Sequence, residues 1–154
     1  MKLSDKISKK AIKLEMSASS KDEALRELVC LLCDAYRLDD RDVILEAIRR
    51  REEKQSTGVG MGLALPHAKT PAVTKLHVAF GRCDAGLDFD AIDGEPARLF
   101  FILVSPRDVS GPHIVALAGI SRLLKHETFR EKLLSCPDEK AFRGIIRRAE
   151  EEYL

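Results

Sequence analysis

Ser56-Thr57-Gly58-Val59-Gly60-Met61-Gly62-Leu63-Ala64-Leu65-Pro66-His67-Ala68-Lys69 joins a glycine loop to a short apolar piece and ends on a histidine held behind a proline. Leu63 to Leu65 reads as a buried strand end. Glycines let backbone amides approach an anion closely, and Pro66 restricts the segment that presents the imidazole. The stretch therefore reads as a phosphoryl-handling site built around His67. Upstream lies Arg51 in Arg51-Glu52, a guanidinium suited to pairing with phosphate oxygens. Downstream comes His113 in Ser110-Gly111-Pro112-His113.

Working outward, Leu76, Val78 and Phe80 alternate with His77, Ala79 and Gly81, the pattern of a half-buried strand. Leu87-Phe89 reads as a short segment, Asp93-Gly94 as a turn, and Leu99 to Val104 as a buried central strand. Ser105 to Ser110 is polar loop. Pro112 suits the first turn of a helix carrying Ile114, Leu117, Ala118, Ser121 and Leu124. Further short helices are expected over Phe129 to Leu134 and Asp138 to Glu150.

On the amino-terminal side, Ile12, Leu14 and Met16 alternate with Lys13 and Glu15 as a half-buried edge strand. Ser20 and Glu23 form a capping-box pattern ahead of Leu25, Leu28, Val29, Leu32 and Ala35, so a helix is expected over Lys21 to Tyr36. Asp39 or Asp40 is placed to cap a second helix, with Val43, Ile44, Ala47 and Ile48 on its apolar face and Arg51 near its carboxyl end. Residues 1–10 are basic and polar and read as a loosely attached arm, with one domain over 11–154. Strands intermixed with helices predict an α/β fold, a mixed sheet with helices on its faces.

The 154 residues carry 26 basic and 25 acidic side chains, a net charge of +1. The length and the 45% hydrophobic content suit one domain with a real core, while the charge balance disfavours nucleic acid as a partner, so any anion must be recognised locally. The amino end lacks the apolar stretch of a secretory signal, and no segment approaches a membrane span; a cytoplasmic protein without membrane insertion is expected. Cys30, Cys33, Cys83 and Cys136 agree with a reducing compartment. Cys30 and Cys33 flank two leucines inside an amphipathic helix and read as core packing, so no metal site is expected.

These residues together carry a resemblance. The run Arg51-Glu52 to Ser56-Thr57-Gly58, then Ala64-Leu65-Pro66-His67, with His113 beyond, resembles the enzyme IIA domains of the fructose/mannitol/nitrogen class. These domains belong to the bacterial phosphoenolpyruvate-dependent sugar phosphotransferase system. The likeness runs from Ile12 to the carboxyl end, with Ala68 standing where the family commonly has a glycine. It implies a three-layer α/β/α domain whose histidines meet at one edge of the sheet. It also implies that Nε2 of His67 attacks phosphorus while a backbone hydrogen bond holds the other ring nitrogen.

Each group has its expected part. A neutral imidazole nitrogen has a lone pair near physiological pH, so His67 is the nucleophile. His113, at a helix start where free amides favour negative charge, should stabilise the phosphoryl group without being phosphorylated. Arg51 should hold phosphate oxygens, while Arg49 and Arg50 read as a solvated helix end and Glu52 as a partner of Arg51 or a local cap. Thr57, Gly58 and Gly60 are the expected phosphate-binding residues, by hydroxyl and amide donation, with a tight connection as the equal alternative for the glycines. Lys69 looks solvated but close enough to His67 to touch a partner. His77 either approaches the site or faces solvent, and His126 reads as a surface residue complementing a helix end.

In-line transfer between nitrogens needs positioning and charge stabilisation, so no cofactor is expected. The resemblance implies a phosphocarrier phosphotransferase, with the small histidine phosphocarrier protein as donor and an enzyme IIB cysteine as acceptor in sugar uptake. The alternative is a nitrogen-branch regulatory module whose His67 phosphorylation state controls binding to transporters or kinases.

Overall fold

The structure, a computed structural model, describes residues 2–108 and 110–154. Met1 of the expected arm and Val109 of the expected loop lie outside them. Along the described residues come helix α1 (Leu3–Lys6), a 3-10 turn (Lys9–Ala11), strand β1 (Ile12–Lys13), and helices α2 (Lys21–Tyr36) and α3 (Arg41–Lys54). Strands β2 (Gly58–Gly60), β3 (Leu63–Ala64), β4 (His67–Lys69), β5 (His77–Leu87) and β6 (Ala97–Ser105) follow. Helices α4 (Gly111–Leu124), α5 (Glu127–Ser135) and α6 (Glu139–Tyr153) close the chain.

The apolar run from Leu99 to Val104 lies in β6, the centre of a mixed sheet ordered β1-β5-β6-β3-β2. On one side β6 pairs antiparallel with β5, Phe80 opposite Phe101. On the other it pairs in parallel with β3 at its start and with β4 at its end, where His67 stands opposite Leu103. Leu65-Pro66 separates β3 from β4. Proline has no amide proton for a ladder, so the strand is interrupted there, although the Pro66 carbonyl still accepts from Leu103 N–H.

Neighbouring residues of β5 identify the two faces. Phe80 and Phe101 stack against Phe142 of α6, with Phe80 and Phe142 centroids 4.4 Å apart. Gly81, pointing the other way, lies against Leu28 of α2, where an added Cβ would come within 2.8 Å of the leucine side chain. So α2 and α3 cover one face and α4, α5 and α6 the other, giving the expected α/β/α layering.

Ser20 caps α2 by accepting from Glu23 N–H, while the Glu23 carboxylate reaches back to Ser19 N–H, one residue before the reciprocal partner of a capping box. Asp40 stands at the α3 cap position but makes no side-chain cap bond.

Four expectations need correction. The amino-terminal segment is docked: Leu3 and Ile7 are in the core, and the Leu3 and Ser4 amides donate to the buried Glu150 carboxylate of α6. That satisfies helix-start donors which would otherwise need water. The edge strand is confined to Ile12–Lys13, with a further bond from Met16 N–H to the Arg82 carbonyl. The strand expected to be half-buried is buried on both faces from His77 to Cys83, because α2 and α6 sandwich it. Leu87 ends β5 instead of opening a separate segment; residues 88–96 connect it to β6 and contain the expected turn at Asp93-Gly94, where Gly94 N–H donates to the Ala91 carbonyl at 3.0 Å.

Candidate active site

His67 opens β4, whose pairing partner is β6; the strand's other side opens on a cleft between α3 and α4. The interruption at Leu65-Pro66 folds the Leu65 carbonyl back toward the imidazole. His67 Nδ1 lies 2.7 Å from that oxygen. A carbonyl only accepts, so Nδ1 carries the proton and Nε2 keeps its lone pair. Burial lowers the His67 pKa, an effect reinforced by Arg51 and opposed by the Leu65 hydrogen bond and the Glu52 charge. The ring is thus neutral at neutral pH, as a nitrogen nucleophile requires.

His113, near the start of α4, is 4% exposed, and its ring centroid lies 5.5 Å from that of His67. Its Nδ1 is 2.6 Å from Ser105 Oγ at the end of β6. The bond engages Nδ1 and leaves Nε2 as the free ring nitrogen, which carries the ring proton when the hydroxyl donates to Nδ1. Burial, with the neighbouring His67 and Lys69, pushes the His113 pKa down to about 4. His113 therefore adds a neutral imidazole, not a charge, beside His67.

Arg51, in the last turn of α3, lines the same cleft and ties Nη1 to its own helix end at the Gln55 carbonyl, 2.8 Å away. Lys69 does so from β4, its Nζ 2.7 Å from Ser110 Oγ ahead of α4. The cleft has a volume of about 860 Å³ and also receives Arg50, Lys54 and Arg107, against the carboxylates Asp42 and Glu46. Glu46 is itself paired with Arg50 at 2.8 Å. The cation excess gives a chain of net charge only +1 a local site for a multiply charged anion. Val43 and Ile114, both largely exposed, stand on opposite helices of the rim.

Thr57, Gly58 and Gly60, the expected phosphate binders, do not line this cleft. Gly58 packs so closely on the segment after β5 that a Cβ would lie 2.9 Å from Ala91 Cα. Gly60, at φ +92°, belongs to the tight turn between β2 and β3, next to Asp93. Their glycine requirement comes from a hairpin packed against the 89–93 segment. Thr57 gives both its donors to Glu52, N–H at 2.7 Å and Oγ1 at 2.6 Å. Glu52 is correspondingly not the partner of Arg51; its ion pair is with Lys21, at 3.0 Å.

The other histidines lie elsewhere. His77 is buried against the Tyr36 ring, centroids 4.8 Å apart, so neither the site nor solvent claims it. His126 is the residue before α5 and stacks on Tyr153 at 3.6 Å. Cys33 is buried in α2. Among the described residues no group of three or more His, Cys, Asp or Glu side chains is arranged to hold a metal ion. Ser105 was not singled out from sequence, although it ends the apolar run just before the loop leading to His113.

The family model described as "Phosphoenolpyruvate-dependent sugar phosphotransferase system, EIIA 2" matches residues 5–149. A fructose-specific EIIA component of Haloferax volcanii is 43% identical over 135 residues, 88% of each chain. A nitrogen regulatory protein of Bradyrhizobium diazoefficiens is 33% identical over 146 residues, 95% of each chain. The crystal structure of nitrogen regulatory protein IIA-Ntr from Neisseria meningitidis superposes with a TM-score of 0.86 at 29% identity, covering 94% of this chain and 98% of that one.

Proposed function

We propose that this chain, which belongs to the EIIA 2 family of the phosphoenolpyruvate-dependent sugar phosphotransferase system, takes a phosphoryl group onto Nε2 of His67 and hands it on. The observation that carries the reading is the commitment of Nδ1 to the Leu65 carbonyl beside His113 and Arg51. It leaves one nucleophilic nitrogen facing an anion-favouring cleft.

The donor is the phosphohistidine of the small histidine phosphocarrier protein. The His67 Nε2 lone pair forms the new P–N bond as the bond from phosphorus to the donor histidine breaks, and the donor ring keeps that electron pair. Arg51 and Nε2–H of His113 hold the equatorial oxygens where charge builds in the transition state. Nδ1–H bonded to Leu65 stabilises the positive character that the His67 ring gains. The acceptor is an enzyme IIB component, whose cysteine thiolate takes phosphorus while the electron pair returns to Nε2. Val43 and Ile114 supply apolar rim contacts for these protein partners. The 43% identity to a fructose-specific component makes fructose uptake in the cytoplasm the first transport reading to test.

A second reading shares the same chemistry. Likeness to nitrogen regulatory proteins over nearly the whole chain supports a module whose phosphorylation state controls binding to a transporter or kinase. Incubation with phosphoenolpyruvate, enzyme I and the phosphocarrier should produce an acid-labile adduct by mass spectrometry, absent in His67→Ala. An undiminished adduct in that variant would remove His67 from the reaction. Quantitative chase of the label onto a IIB cysteine supports transport; retention, with altered binding to a target, supports regulation.

A further inference from the structure

We propose that Glu52 is the positioning residue for His67, acting through the backbones of Thr57 and Leu65. Its carboxylate is 6% exposed, sits beside Arg51 on α3 and touches no position a phosphoryl group would occupy. A buried carboxylate is costly unless it is paired and hydrogen-bonded. Here Thr57 N–H donates to Oε1 at 2.7 Å, Thr57 Oγ1 to Oε2 at 2.6 Å, and Lys21 Nζ lies 3.0 Å from Oε1.

The chain of contacts continues in one direction. The Thr57 carbonyl accepts Leu65 N–H at 3.0 Å, and the Leu65 carbonyl accepts His67 Nδ1–H at 2.7 Å. Glu52 grips Thr57 on its amide side, Thr57 grips Leu65, and Leu65 holds the ring. Successive bonds use different peptide units, so what passes along the series is position, not polarisation through one amide. The interruption at Pro66 makes this series important, because Pro66 offers no amide to secure the carbonyl's approach. Without the grip, the Leu65 carbonyl can move away from Nδ1, and the ring proton can shift to Nε2, which removes the attacking lone pair.

The inference rests on the phosphoryl-transfer reading for its consequence but not for its primary measurement. Glu52→Asp keeps the charge near Lys21 and shortens the reach. Glu52→Gln keeps the reach, since its amide oxygen accepts from Thr57 N–H and its NH2 donates to Thr57 Oγ1, and drops the charge. Nitrogen NMR of the unphosphorylated proteins reads the His67 tautomer directly, and urea unfolding reads stability in parallel. Position predicts a single Nδ1–H tautomer in wild type and Glu52→Gln, and a mixture in Glu52→Asp. Phosphoryl acceptance by Glu52→Asp should fall about tenfold, the low end of losing an outer partner of a functional imidazole.

An unchanged tautomer in Glu52→Asp, with or without lower stability, overturns the proposal and leaves Glu52 purely structural. Equal impairment in Glu52→Gln overturns it in favour of the charge. If wild-type protein accepts no phosphoryl group, the functional reading fails while the tautomer comparison still decides the role of Glu52.

Discussion

Ser105 Oγ lies 2.6 Å from Nδ1 of His113, a contact closed off from solvent at the junction of β6 and α4. That one bond engages Nδ1 and leaves Nε2 as the free nitrogen of the second imidazole. Ser105→Ala should cost about 1 kcal/mol of stability, the usual net worth of such a bond. It should also slow phosphoryl transfer, because the His113 proton is no longer held on Nε2. Urea unfolding and quench-flow transfer rates check the two effects separately. Wild-type transfer in Ser105→Ala would show that the His113 tautomer is immaterial.

Arg51 contributes charge and a planar fork, one arm of which is anchored at the Gln55 carbonyl. Arg51→Ala should slow transfer about a hundredfold, the scale of removing one preorganised donor from a developing anion. The fold should survive, since the side chain is at a helix end. Arg51→Lys should recover only part of the rate, because a point charge does not reproduce the fork. Full activity in Arg51→Ala, measured by single-turnover transfer, would exclude the residue from oxygen binding.

Acid should loosen the protein through its buried histidines. His113 has its pKa pushed from 6.5 to about 4, so the unfolded chain binds a proton there at a higher pH than the folded chain does. The stabilisation is complete above about 6.5 and is lost as pH falls to about 4. His67 and His77, both lowered mainly by burial, act in the same sense. His113→Gln should flatten the decline in urea midpoint across this window. An unaltered slope would mean that His113 does not enter the folded state neutral.

The rim of the cleft tests partner contact apart from chemistry. Val43→Asp and Ile114→Asp change exposed side chains on opposite helices, so the fold should be unaffected. Each should raise KM for the phosphorylated carrier about tenfold with kcat nearly constant, the signature of lost uniform binding. A fall in kcat at unchanged KM would place these residues in the transfer step instead.

Sequence reading succeeded where one local rule controls one element. Ser20 ahead of a regular apolar spacing gives the limits of α2, and an uninterrupted apolar run gives β6. It misjudged β5 because His77, Ala79 and Gly81 resemble a wet face. In the fold, small residues admit α2, while Arg82 is buried by donating to the Leu133 and Cys136 carbonyls. The amino-terminal segment was misread for a similar reason: Leu3 and Ile7 are isolated among lysines, and the Glu150 that anchors them lies at the far end of the chain.

The site was legible in part. His67, His113 and Arg51 do meet around one cleft, but periodicity alone could not bring β4, α4 and the end of α3 together; the resemblance supplied that expectation. The glycine loop misled because a phosphate cradle and a crowded hairpin ask for the same residue. Glu52, expected as a partner of Arg51 or a local cap, and Ser105, not singled out, make their bonds to Thr57 and His113 only in the folded chain.

The most direct test of the central claim is nitrogen NMR of His67 after phosphorylation by phosphoenolpyruvate, enzyme I and the phosphocarrier. The account predicts one phosphoryl group bonded to Nε2, with Nδ1 still protonated against the Leu65 carbonyl. A phosphoryl group on Nδ1, or on His113 with His67 unmodified, would contradict it.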